Sequence, residues 1–125
     1  MSSAVKKAVR DIFDEIAKRK SNLKRVLNMS EEGAGQRVFP PQTKKNDEAF
    51  GLRLDKGEPV QGKPGHVRLK LQANREAKNN TIRDLASKDS HQVLASVDVD
   101  TKQEPSEANA FKIRDALLKS LADNK

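Results

Sequence analysis

Residues 91–123 read HQVLASVDVDTKQEPSEANAFKIRDALLKSLAD. Val93, Ala95, Val97 and Val99 alternate with Leu94, Ser96, Asp98 and Asp100, the period-two signature of a strand buried on one face. A short polar link follows. Ala110, Ile113, Leu117 and Leu121 then recur at three- and four-residue steps, widened by Phe111 and Leu118. Lys112, Arg114, Asp115 and Lys119 take the opposite side, so this amphipathic helix must lie on an apolar platform. The platform is either its own sheet or that of a second copy.

Working back toward the N-terminus, His66 to Ala73 (HVRLKLQA) is a second alternating segment. Val67, Leu69, Leu71 and Ala73 share one face; His66, Arg68, Lys70 and Gln72 share the other. Phe50 to Lys56 (FGLRLDK) reads as a shorter strand with Leu52 and Leu54 inward and Arg53 outward. Between these two, DKGEPVQGKPG is a turn-rich loop. It lacks the following helix and Lys-Ser/Thr ending of a phosphate-binding loop. Residues 74–90 form a long polar loop in which Ile82, Leu85 and Ala86 suggest one ordered piece, a turn of helix or a strand extension. Residues 30–48, with a Pro-Pro pair and two glycines, read as a connection pinned to the core by Val38 and Phe39.

Val5, Ala8, Val9, Ile12, Phe13 and Ile16 keep helical spacing, and Leu23, Val26 and Leu27 continue the stripe. This predicts one helix over 4–28, capped by Ser2 or Ser3. Its other side carries Lys6, Lys7, Arg10, Lys18, Arg19, Lys20, Lys24 and Arg25. That side is either a nucleic-acid contact or simply the solvated face of a packing helix.

The chain has 125 residues, enough for one domain and small for two. Only 34% of residues are hydrophobic and 34% are charged, a thin core for a self-sufficient monomer, so an oligomer is expected. There is no cysteine, which excludes disulfides and thiolate metal sites. No apolar run is long enough to span a bilayer, and the N-terminus does not read as a cleavable leader. These features predict a soluble, cytoplasmic protein. A formal charge of +7 fits a polyanionic partner. With no Trp or Tyr and four Phe, such a partner would be held by phosphate contacts rather than by base stacking.

The chemistry points away from an enzyme. Asp98 and Asp100 share a strand face and could hold a metal, but no third ligand lies near in sequence; the alternative is cross-strand pairing with Arg68 and Lys70. His66 and His91 each begin a strand, and no motif places a Ser-His-Asp triad. No cofactor, metal or small-molecule substrate is expected. Arg53, Arg68, Lys70 and Gln72 line the polar sheet face and are the candidate RNA-binding residues, against the alternative that this face merely meets water.

In layout, HVRLKLQ, the long polar loop and HQVLASVDVDTKQEPSEANAFKIRDALLKSLAD resemble the C-terminal part of the coat proteins of single-stranded RNA bacteriophages, the levivirus-like family. The resemblance covers roughly residues 50–125. It implies an α+β fold in a single domain, 1–125, with an antiparallel sheet over 50–100, a loop at 74–90 and a C-terminal helix over 106–123 packing across a two-fold dimer. Ala110, Phe111, Ile113, Leu117, Leu118 and Leu121 would form that dimer interface. The implied function is a capsid protein that self-assembles into an icosahedral virus-like particle around single-stranded RNA, with the RNA meeting Arg53, Arg68, Lys70 and Gln72. The implied localisation is the virion, assembled in the host cytoplasm, with no membrane partner. The chain departs from that family at its N-terminus, which reads as a helix instead of a hairpin, and in lacking a Tyr on the RNA face. The alternative is a small dimeric nucleic-acid-binding regulator that uses the basic N-terminal helix.

Overall fold

The structure is a computed structural model that describes residues 3–88 and 92–123. Within them the chain is α+β, with five helices and a four-stranded antiparallel sheet. The order is α1 (Ser3–Lys18), α2 (Lys20–Leu27), β1 (Arg37–Phe39), α3 (Lys44–Phe50), β2 (Leu52–Pro59), β3 (His66–Ala73), α4 (Asn80–Lys88), β4 (Val93–Asp100) and α5 (Glu107–Asp123). The strands form a meander, each pairing with its neighbour in sequence.

Alternation sets the two faces of the sheet. Leu54 lies opposite Leu71 and Leu71 opposite Ala95, while Val67 lies opposite Val99, all buried. The helices cover this face. Val5, Val9, Ile12, Phe13 and Ile16 of α1 are fully buried, as are Ala110, Leu117 and Leu121 of α5. α5 packs on β4 and on α1, giving a two-layer core. Burying each of these large side chains contributes about 1.5–3 kcal/mol. Ser106 starts α5 by accepting a hydrogen bond from the Asn109 amide at 3.2 Å.

Within the single chain α5 lies on its own sheet: Ala110, Ile113, Leu117 and Leu121 are at most 6% exposed, while Phe111 and Leu118 are partly exposed. Four expectations are refined. The helix predicted over 4–28 is two helices. Arg19 is extended (φ −129°, ψ 130°), and the Asn22 side chain donates to the Glu15 carbonyl at 3.1 Å in the gap. The connection at 30–48 contains β1 and the start of α3, and Phe50 ends that helix instead of opening a strand. Thr43 caps α3 by accepting from the Asn46 amide, and Gly51 closes it in the left-handed region (φ 71°), where an added Cβ would also press on Ala77. The loop at 74–90 contains α4, which buries Ile82 and Ala86; the helical alternative was the right one.

The fourth is in β4. Leu71 pairs with Ala95 but Gln72 pairs with Val93, so Leu94 is an extra residue, a β-bulge. The bulge moves Val93 onto the polar face beside Gln72 and sends Leu94 into the core, where it is 2% exposed. Strict alternation had placed the two the other way round. His91, expected at the start of a strand, lies outside the described residues.

Candidate functional site

With α1 and α5 on one face, the other face of β2, β3 and β4 carries Arg53, Asp55, His66, Arg68, Lys70, Gln72, Ser96, Asp98 and Asp100. The structure thus brings together Arg53, Arg68, Lys70 and Gln72, as the alternation predicts. It also supplies their counter-charges, which the sequence did not pair correctly.

Arg53 is the hub. Its guanidinium donates from Nε to Asp55 (3.0 Å), from Nη1 to Asn74 (3.2 Å) and from Nη2 to Gln72 (2.8 Å). Asp55 is only 6% exposed, so its charge is held by this fork. Arg37, opposite Asp55 in β1, is itself paired with Asp47 of α3. Lys70 donates to Glu58 at 2.9 Å. The Glu58 carboxyl is held below its usual range, first by a backbone hydrogen bond of its own and then by Lys70. Glu58 was missed because it follows a bulge at Gly57, where the register slips and alternation stops assigning faces. Gly57 is required there: a Cβ would sit 3.0 Å from the Arg68 carbonyl.

At the other end, Asp98 accepts from His66 Nδ1 (2.7 Å) and from Lys63 (3.2 Å). Burial pushes its carboxyl up, but these two hydrogen bonds outweigh that and hold it below the usual range. The expected pairing of Asp98 and Asp100 with Arg68 and Lys70 is therefore corrected. Asp98 lies opposite Arg68 in register yet bonds elsewhere, and Asp100 accepts from the Lys102 amide at 2.9 Å. Among the described residues no group of three or more His, Asp or Glu is placed to hold a metal ion.

Arg68 stands apart. It is exposed at the centre of the face, and no hydrogen bond or ion pair engages its guanidinium among the described residues. Beside it a trough of about 480 Å³ runs along Gly35, Arg53, Asp55, Glu58, Lys70 and Gln72. Arg37, Arg53, Arg68, Lys70 and Lys63 are balanced by Asp47, Asp55, Glu58, Asp98 and Asp100. The face is an ion-paired grid and not a field of free positive charge.

No curated protein and no solved structure matches the chain. One family model does, over residues 1–116; its description is HrmA, subtelomeric hrmA-associated cluster protein. A subtelomere borders the end of a linear chromosome, which an RNA phage genome does not have. The match therefore overturns the levivirus-like resemblance, and with it the capsid function, the virus-like particle and the virion as location. It gives no support to the nucleic-acid-binding regulator either. Because the match spans most of the sequence, the chain belongs to the family of HrmA subtelomeric hrmA-associated cluster proteins.

Proposed function

We propose that this chain is a non-catalytic binding module that docks a protein partner on the uncovered face of its sheet. The observation that carries this reading is Arg68, an exposed guanidinium with no bond among the described residues, set inside a grid of paired charges. Arginine anchors are enriched where interfaces concentrate their binding energy. A mixed, balanced face suits a protein surface of complementary mixed charge better than a polyanion, which draws its affinity from unpaired cations. The partner would offer Arg68 a carboxylate and lie along the trough beside Lys70 and Gln72.

The family description speaks of a gene cluster. Products of the other genes of that cluster are the first partners to test, because clustered genes are commonly used together. Each is purified and passed over the immobilised chain and over Arg68→Glu. Binding weakened at least tenfold in the variant, with unchanged circular dichroism, supports the reading. Binding indifferent to Arg68→Glu, or tighter binding to a single-stranded RNA than to any of these proteins, sinks it.

A second reading, self-association, is favoured by one feature. Among the described residues β4 pairs only with β3, so an eight-residue strand leaves one edge unpaired. Two copies could join there about a two-fold, with β4 at the centre instead of the buried stripe of α5. Light scattering over a range of concentrations tests this; a monomer throughout rules it out.

A further inference from the structure

Lys56 sits where a lysine is unexpected. Its register partner is Leu69, on the core side of the sheet, and it is only 6% exposed. A buried ammonium is normally kept by a carboxylate or by a full set of hydrogen bonds. Lys56 has neither among the described residues. Its Nζ makes one long bond, 3.5 Å, to Ser30 Oγ, leaving two of its three donors to be satisfied. The nearest carboxylates in sequence are engaged elsewhere, Asp55 with Arg53 and Glu58 with Lys70, and Glu31, beside Ser30, accepts from the Gly65 amide at 2.6 Å.

A small groove of about 190 Å³ opens beside it, lined by Arg25, Met29, Gln36, Arg37, Val38 and Lys56. Three of the six are cations and none is an acid. Arg37 is fixed by Asp47 and by the Pro40 carbonyl, which its Nε reaches at 2.6 Å. Arg25 is exposed and has no bonded partner among the described residues. From Lys18 to Ser30 the chain carries no carboxylate at all. The groove is also built to last, because the Lys56 amide donates to the Gln36 carbonyl at 2.8 Å and the Gly35 amide donates to the Lys56 carbonyl at 2.6 Å.

We propose that this groove is a binding site for a tetrahedral oxyanion of the phosphate class, held by Lys56 Nζ and the Arg25 guanidinium with the Gln36 amide at the rim. Its volume lies below the roughly 300–1,000 Å³ of sites for drug-sized ligands, so it takes a phosphate group and not a nucleotide. The group arrives either as inorganic phosphate or as the end of a phosphate monoester. The anion completes the donor set of Lys56 and offsets a charge the fold leaves uncompensated. The groove shares Lys56 with the trough proposed for a protein partner, but Arg25, Met29 and Gln36 lie outside that trough, so the anion site does not depend on the partner.

The test titrates the folded chain with inorganic phosphate at constant ionic strength, followed by amide chemical shifts. Saturable shifts at Gln36, Arg37 and Lys56 are expected. Lys56→Met keeps the length of the side chain while removing the charge, and should weaken binding at least tenfold. Arg25→Gln, on the surface and safe for folding, should weaken it several-fold and decides the matter if Lys56→Met does not fold. A parallel titration with O-phosphoserine separates the two sources: tighter binding than inorganic phosphate assigns the site to a monoester, equal or weaker binding to the free ion. Shifts that do not saturate, that track ionic strength alone, or that persist unchanged in both variants overturn the site.

Discussion

Arg53 shows what one residue can organise. Three acceptors on two strands and the following loop converge on its fork, and two of them, Asp55 and Asn74, are buried. Arg53→Ala leaves the Asp55 carboxylate without its partner and should cost about 3 kcal/mol in urea unfolding, at the low end for breaking a buried pair. Arg53→Lys should recover little, since an ammonium cannot serve three acceptors in one plane. Asp98 is a milder case. Its carboxyl is held below the usual range when folded, so the stabilisation it gives is complete above the unfolded value of about 3.9 and fades as pH falls through the lower folded value. Asp98→Asn should lower stability by under about 1 kcal/mol at pH 6, and the gap should narrow as pH falls below the ordinary carboxylate range. The positions of Arg53, Arg68, Lys70 and Gln72 on one face were legible from alternation alone. Their partners were not, because Glu58 lies past a bulge and Lys63 in a loop, where period two says nothing about direction.

Among the elements, β4 is the most instructive. Alternation read Val93 as inward and Leu94 as outward, and one inserted residue reverses both. Leu94→Ala should therefore destabilise by about 2–4 kcal/mol, as a core truncation does, while Val93→Ala should cost under about 1 kcal/mol. Equal effects in thermal unfolding would mean that the bulge is absent in solution. A bulge leaves no mark in composition, since it is set by the strand it faces. The break between α1 and α2 was hidden for a related reason: the apolar stripe continues through it, and only the Asn22 side chain reaching back to Glu15 reveals the gap. α3 had a readable start in Thr43 and Asn46, masked by the prolines before it. α4 was visible as a hint in Ile82, Leu85 and Ala86, too short a run to distinguish helix from strand.

At the scale of the whole molecule, the fold gathers most of its apolar residues into one core. Among the described residues 28 hydrophobic side chains are buried in one chain, including the stripe of α5 that was assigned to a partner. Composition counts apolar residues but not how completely a fold gathers them. The chain should accordingly unfold with a midpoint that does not move with protein concentration, and Leu117→Ala should lower it by an amount worth about 2–5 kcal/mol at every concentration. A midpoint that climbs with concentration would show self-association, and a Leu117→Ala cost that shrinks at low concentration would place α5 in it. The contact between α1 and α5 also bears on synthesis. In chain order α1 is made well before α5, its lasting neighbour. Until α5 emerges, Val5, Ile12 and Ile16 lack part of their cover, so a stalled or shortened chain should be a chaperone client whereas the finished one is not.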